Sequence, residues 1–134
     1  MGSNAKGNLG IGDVNTQSSS IPCLVESILE IKANKISCGY YHTLLTTDNG
    51  EVFSWGDGEN GATGFDKTLF EPKQIPLFKE KHIFVKRASC GSRHTAFVTC
   101  KLHNQLRDHY LLVELAMWGN LALEKAQKKL SHLK

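Results

Sequence analysis

An internal repeat with a period slightly above 50 residues constrains the fold of this 134-residue chain more than any other feature. Residues 37–43 and 89–95 share the pattern S-C-G-x-x-H-T at an offset of 52 residues. A glycine pattern, G-x4-G-x2-G, also occurs twice, at an offset of 54 residues, and each copy leads to an Ile-Pro pair. The first copy holds Gly2, Gly7, Gly10, Ile21 and Pro22; the second holds Gly56, Gly61, Gly64, Ile75 and Pro76. Repeats of this length are typical of solenoids and propellers.

One complete copy of the repeat predicts four short antiparallel strands. The Asp48-Asn49-Gly50 turn joins two of them as a β-hairpin, and a tight turn at Gly39 joins two others. Proline lacks the backbone donor that a sheet interior requires, so we expect the last strand at a sheet edge. The predicted strands cover residues 34–38, 42–47, 51–55 and a short segment around 75–77.

Gly56, Gly58 and Gly61 also spell G-x-G-x-x-G directly after the strand-like run of residues 51–55. This pattern is typical of dinucleotide-binding turns. That function requires a helix directly after the glycines, because the phosphates bind the free N–H groups of its first turn. Here Gly64 and Pro72 leave no room for such a helix. We therefore interpret these glycines as a recurring turn, with no cofactor.

The ordered markers S-C-G-x-x-H-T, D-N-G-E-V-F-S-W-G, N-G-x-x-G and I-P resemble the regulator of chromosome condensation repeat, over residues 1–99. The resemblance implies a mainly β fold built from antiparallel propeller blades, of which this chain carries about two repeats where the family closes a ring of seven. It also implies a non-enzymatic protein linked to small-GTPase nucleotide exchange, chromatin, or ubiquitin and ciliary machinery. The N-terminal residues lack the apolar core of a signal peptide and no run of 18 apolar residues occurs, so we expect a location in the cytoplasm or nucleus. The markers are Cys38, Gly39, His42, Trp55, Gly56, Gly61, Gly64, Cys90, Gly91 and His94.

The chain departs from this family after Thr99, where the turn that follows residue 47 has no counterpart. We therefore predict that the third repeat stops there and that residues 100–134 form a helical tail. Apolar residues at helical spacing support the tail, and Trp118-Gly119 is interpreted as a coincidental match to the repeat. We interpret the tail in one of two ways: its apolar stripe covers the open sheet edge of this chain, or it binds a partner as an amphipathic helix. The apolar stripe comprises Leu106, Tyr110, Val113, Met117 and Leu121.

Two Cys-x3-His pairs raise the question of a zinc site or a thiol–imidazole catalytic pair. Equivalent positions of successive blades are too far apart to converge on one ion, and no third residue orients either histidine. We predict no metal and no catalytic residue; the structural interpretation is a small buried cysteine and a histidine hydrogen-bonded within its own blade. The four cysteines are expected to be buried thiols rather than a disulfide framework.

Propellers bind their partners through the loops at the blade ends. Among loop residues, Tyr40, Tyr41 and Arg93 are of the types enriched in binding hot spots, so we predict that they contact a protein partner. Ordinary turn exposure explains the same three residues equally well. Other interpretations are a truncated chain with little activity of its own, self-association through the open propeller edge, and nucleic-acid or chromatin binding by the six basic residues after position 100.

Overall fold

The structure, a computed structural model, describes residues 1–101 and 113–117. Its central unit, here called the middle blade, is a four-stranded antiparallel sheet in the order β3-β4-β5-β6. The turn at Gly50, whose φ is 77°, closes the β4–β5 hairpin with a hydrogen bond from Gly50 N–H to Thr47 O at 3.0 Å. The four-stranded prediction is therefore confirmed. The strands are β3 (Ala33–Cys38), β4 (His42–Thr47), β5 (Val52–Gly56) and β6 (Leu69–Gln74).

The fourth strand lies earlier in the chain than the sequence predicted. Strand β6 ends at Gln74, and Pro76–Glu80 forms the short helix α1 instead of a strand around residues 75–77. Pro76 occupies the start of that helix, where its missing N–H is tolerated and its fixed φ is favourable. The edge position predicted from Pro76 therefore does not apply to that segment; the strand at the sheet edge is β6, which contains another proline, Pro72.

A second sheet, the C-terminal blade, has three strands. Strand β7 (Ile83–Cys90) pairs with β8 (Thr95–Lys101), which pairs with β9 (Val113–Met117). The sheet therefore continues past Thr99, where the sequence predicted the end of the repeat. The helical assignment is wrong for β9, because a spacing of four residues places Val113 and Met117 on one face of a strand as well as of a helix. The rest of the predicted tail, 102–112 and 118–134, lies outside the described residues.

The N-terminal segment repeats the glycine turns of the middle blade. Strands β1 (Gly2–Ser3) and β2 (Ser18–Ser19) form a small sheet, and a 3₁₀ turn covers Glu26–Ile28. Gly10 N–H donates to Gly7 O at 3.0 Å, and Gly64 N–H donates to Gly61 O at the same distance. All four of these glycines have φ between 66° and 79°, a region that residues with a side chain rarely adopt. The glycine pattern therefore encodes one turn that occurs twice.

The apolar core lies between the two blades. Leu44 and Val52 of the middle blade pack with Val85 and Phe97 of the C-terminal blade in one buried cluster. Helix α1 adds Phe78, whose ring centre lies 4.9 Å from that of Phe97 at an interplanar angle of 60°. The blades therefore stack face to face, as in an incomplete propeller. No helix in the part of the chain that the structure describes is long and apolar enough to cross a membrane.

Candidate protein-binding surface

Loops from both blades meet at one end of the sheets. The N–H of Tyr40 donates to Ser92 O at 3.1 Å and joins the β3–β4 turn to the β7–β8 turn. The N–H of Asp57 donates to Tyr41 O at 2.8 Å and adds the loop that follows β5. Three loops thus form one continuous area, which we call the loop surface. It comprises Tyr40, Tyr41, Asp57, Asn60, Ser92 and Arg93.

The loop surface brings together the three residues that the sequence singled out. Tyr40 and Tyr41 are both exposed, and their rings meet edge to face with centres 5.0 Å apart. Arg93 is exposed on the neighbouring blade and lines, with Tyr41, a cavity of about 10 Å³, which has room for a single water molecule. Two aromatic rings and a guanidinium therefore face solvent on a framework shared by two blades.

His42 lies beneath this surface and bonds across to the other blade. Its Nε2 is 3.0 Å from Thr95 Oγ1, and Thr95 Oγ1 is 2.8 Å from Ala62 O. A carbonyl can only accept, so the single hydroxyl hydrogen of Thr95 goes to Ala62 and the Thr95 oxygen accepts from His42 Nε2–H. The predicted hydrogen bonding of His42 within its own blade is therefore wrong: the histidine joins two blades.

Burial keeps the imidazole of His42 neutral. Loss of hydration lowers the pKa of His42 below its ordinary 6.5, and the electrostatic interaction with the neighbouring His94 lowers it further. The negative charge of Asp57 and the backbone of His94 act in the opposite direction and are smaller effects. The hydrogen bond to Thr95 requires a proton on Nε2, so the neutral imidazole carries its single proton there.

The two repeat-marker cysteines have different environments, although their sequence positions are equivalent. Cys90 is partly buried; its Sγ donates to Ser37 O at 3.2 Å, and its N–H donates to Ser37 Oγ at 3.0 Å. Burial raises the pKa of the Cys90 thiol to about 11. Cys38 is exposed, so its predicted burial is wrong, because no preceding blade covers it within the described residues. All four cysteines are free thiols, but none is fully buried, so the expectation of buried thiols is wrong.

Sequence reasoning overlooked two residues of this region. Thr95 was treated only as part of the shared pattern, although its hydroxyl connects His42 to Ala62; the threonine that follows the histidine in both copies was the available signal. Asp57, in the loop that follows β5, is nearly buried: its Oδ1 accepts from Glu59 N–H at 2.9 Å, so the carboxylate shapes the loop rather than extending into solvent.

The geometry offers no ligand set for the chemistry considered above. Among the described residues, no group of three His, Cys, Asp or Glu side chains is placed to hold a metal ion. Residues 57–68 form turns and bends without a helix, so the G-x-G-x-x-G glycines do not begin the helix that a dinucleotide site requires. Trp55 is buried as blade core, and its Nε1–H donates to Asn8 O at 3.0 Å.

Residues 1–46 and 49–98 match the regulator of chromosome condensation (RCC1) repeat family, and a second repeat description of the same name matches residues 33–62. The chain belongs to the RCC1 repeat family. The match covers the two S-C-G-x-x-H-T copies and the two glycine turns, so the predicted family membership is confirmed.

Several proteins that carry RCC1 repeats are similar to this chain. The probable E3 ubiquitin-protein ligase HERC4 of Mus musculus is 36% identical over 98 residues, which are 72% of this chain and 9% of that protein. The ultraviolet-B receptor UVR8 of Arabidopsis thaliana is 36% identical over 95 residues, 69% of this chain and 21% of the receptor. Human RCC1 domain-containing protein 1 is 36% identical over 76 residues, 55% of this chain and 20% of that protein. The chain thus spans at most about a fifth of the length of these relatives.

Solved structures show the same fold. Prp20p from Saccharomyces cerevisiae, studied with its binding to Gsp1p and histones, superposes with a TM-score of 0.65 at 22% identity. The superposition covers 73% of this chain and 25% of Prp20p. Human WBSCR16 gives a TM-score of 0.57 at 24% identity over 87% of this chain and 34% of its own. The two stacked sheets are therefore RCC1-type propeller blades.

Proposed function

We propose that this RCC1-type chain is a protein-interaction module that binds its partner through the loop surface. The observation that carries the proposal is the exposed, edge-to-face pair of Tyr40 and Tyr41, held beside Arg93 by hydrogen bonds between two blades. Tyrosine and arginine dominate the energetics of protein interfaces, because they combine a large contact area with few rotatable bonds or a planar set of donors.

The framework beneath the tyrosines favours binding, because it limits the entropy that is lost on association. Tyr41 O accepts from Asp57 N–H, and Tyr40 N–H is fixed on Ser92 O, so the turn that carries both rings is held from two sides. Rigid aromatic side chains on a fixed backbone lose little freedom when a partner docks. A non-enzymatic role agrees with this arrangement, in which the polar groups hold loops in place.

The partner classes to test first are a small GTPase and histones. The family resemblance implies the former, and Prp20p is described by its binding to Gsp1p and histones. We rank plain binding above nucleotide exchange, because exchange requires a large rigid docking face. The described residues supply one four-stranded blade and part of another.

The test is a binding titration of the full chain against an immobilised small GTPase and, separately, core histones. Changing Tyr40, Tyr41 and Arg93 together to alanine is expected to weaken binding by roughly 30-fold or more, which corresponds to the loss of a hot spot of at least about 2 kcal/mol. The single variant Arg93→Ala is measured beside Arg87→Ala, its matched control, because Arg87 is also exposed but lies within β7. Only Arg93→Ala is expected to weaken binding.

Each result bears on a different part of the proposal. If a partner binds and the triple variant binds equally well, the loop surface is not the contact. If neither partner class binds the wild-type chain, these partners are rejected. Binding of histones that declines steeply with salt and survives the triple variant would favour charge-driven contact by basic residues instead.

A further inference from the structure

A cavity of about 250 Å³ opens between the two blades, at the end of the strands opposite the loop surface. Its walls come from the β4–β5 turn, the end of β6, α1 and the start of β7. All of its lining residues lie between positions 49 and 84, within the two described blades and the segment that joins them. Cavities for drug-sized ligands have volumes of roughly 300–1,000 Å³, so this one suits a smaller molecule.

The floor of the cavity is apolar and fixed in place. It consists of four side chains of the buried core, Val52, Ile75, Phe78 and Ile83. One side is closed by Gly50, whose carbonyl accepts from Val85 N–H at 3.1 Å. The ring of Phe84 covers this glycine so closely that a Cβ added at Gly50 would lie 2.5 Å from Phe84 Cδ2. The floor therefore offers a preformed place for an apolar group of a ligand.

Two opposite charges line the same cavity without neutralising each other. Glu51 is half-buried, and its Oε1 accepts from Gln74 Nε2 at 2.9 Å, which orients the carboxylate. Lys79 is exposed in the last turn of α1. No ion pair joins Glu51 to Lys79 in the part of the chain that the structure describes, although both line the cavity. A ligand that carries both charges can pair with the two groups at once.

His82 lines the cavity in a backbone conformation that favours glycine. Its φ is 51°, and it is the one non-glycine residue with a positive φ among those described. The residue follows the C-cap of α1, and its N–H donates to Lys79 O at 3.2 Å. Glycine is the usual residue at this position of a helix end, because it has no Cβ to clash. Side chains retained in strained conformations are typical of ligand-binding positions, so we interpret the imidazole as a ligand contact.

We propose that this cavity binds a free apolar α-amino acid. The ammonium of the amino acid pairs with Glu51, its carboxylate with Lys79 and a ring N–H of His82, and its side chain lies on the apolar floor. An α-amino acid carries both charges on one carbon with an apolar group beside them, which is the combination that the cavity presents. The site is separate from the loop surface, so the proposal does not rest on the proposed function.

Titration of the full chain with four matched probes, followed by the NMR shifts of its backbone amides, tests the proposal. L-Leucine carries all three groups. 4-Methylpentanoate lacks the ammonium, 3-methylbutylamine lacks the carboxylate, and glycine lacks the side chain. Leucine is expected to shift the amides of Gly50 and Phe84 at the cavity wall. It should bind at least roughly tenfold more tightly than each of the other three, because each of them loses one contact of the set.

Charge-removing variants test the two ionic contacts. Glu51→Gln and Lys79→Gln are each expected to weaken leucine binding by roughly tenfold. Glu80→Gln and Lys81→Gln are the matched controls, because both residues are exposed beside Lys79 and neither lines the cavity. The controls should bind leucine as the wild-type chain does. Circular dichroism of each variant verifies that it is folded.

His82→Gly separates a ligand contact from a structural role. The substitution relieves the positive φ and removes the imidazole, so it is expected to raise the midpoint of urea unfolding and to weaken leucine binding. A histidine with only a structural role would leave leucine binding unchanged, which would exclude it from the site and overturn the proposed set of contacts.

Three results with the other samples would also overturn the proposal. The first is a wild-type chain whose amides do not shift with leucine. The second is equal affinity for leucine and for 4-methylpentanoate or 3-methylbutylamine, because the cavity would then not recognise both charges. The third is a loss of leucine binding in Glu80→Gln and Lys81→Gln as large as that in Glu51→Gln and Lys79→Gln, which would indicate a general charge effect.

Discussion

The hydroxyl of Thr95 offers a direct test of how the blades are joined. Thr95→Val keeps the shape of the side chain and removes the oxygen, which leaves His42 Nε2–H and Ala62 O buried without that partner. An orphaned buried polar group costs about 1–3 kcal/mol, so the substitution is expected to lower the free energy of unfolding by about 2–5 kcal/mol.

The equivalent residue of the middle blade provides a matched control. Thr43 Oγ1 donates to Asn8 O at 3.2 Å, and that carbonyl also accepts from Trp55 Nε1 at 3.0 Å. Thr43→Val therefore leaves Asn8 O satisfied, and the expected loss is that of one ordinary hydrogen bond, about 0.5–1.5 kcal/mol. The same chemical change at two repeat-equivalent sites should differ in cost because only Thr95→Val removes the partner of two buried polar groups.

Urea unfolding followed by the fluorescence of the two tryptophans measures both variants. The free energy of unfolding typically falls by about 1–3 kcal/mol per molar urea, so the urea concentration at the unfolding midpoint of Thr95→Val is expected to fall by about 1 M or more. Thr95→Ser retains the hydroxyl and serves where the valine variant does not fold; it should lose only about 0.8 kcal/mol for its methyl group. Equal midpoints for Thr95→Val and Thr43→Val would refute the proposed hydrogen-bond chain.

Two further predictions follow from the pKa values. The pKa of His42 is lower in the folded chain than in the unfolded chain, so the unfolded chain binds a proton at the higher pH. The contribution of neutral His42 to the free energy of unfolding is therefore complete above pH 6.5 and is lost as the pH falls below that value. His42→Gln should flatten the pH dependence of the urea midpoint in this range, and an unchanged slope would contradict the assignment. Because the pKa of Cys90 is raised to about 11, iodoacetamide at pH 8 should label exposed Cys38 more than about tenfold faster, as mapped by peptide mass spectrometry. Equal labelling rates would show that the blade interface opens readily.

Residue spacing alone did not predict strand β9 of the C-terminal blade. The hairpin signal at residues 48–50 predicted the middle blade correctly, because a tight turn leaves little freedom in strand pairing. The C-terminal blade lacks that signal: eleven residues separate β8 and β9, so their pairing depends on contacts distant in sequence. The apolar spacing of Val113 and Met117 fits both a helix and a strand, and the pairing with β8 determines the strand.

The candidate surface was predictable as a set of loops but not as a site. Residue type and the propeller resemblance identified Tyr40, Tyr41 and Arg93. The hydrogen bond that holds the two blades' turns together joins backbone atoms, which carry no residue-specific signal. The near burial of Asp57 had no sequence signal for the same reason.

The sequence by itself determined the repeat, the turns and the family. Glycines with positive φ, the Asp-Asn-Gly hairpin and the S-C-G-x-x-H-T pattern act over a few residues, so the local chemistry is sufficient to specify them. Only the tertiary structure decided what the markers do. His42 contacts Thr95 at a separation of 53 residues, and Cys90 contacts Ser37 at the same separation. Equivalent side chains therefore differ in burial according to whether a blade lies against them, and a repeat pattern alone cannot encode that difference.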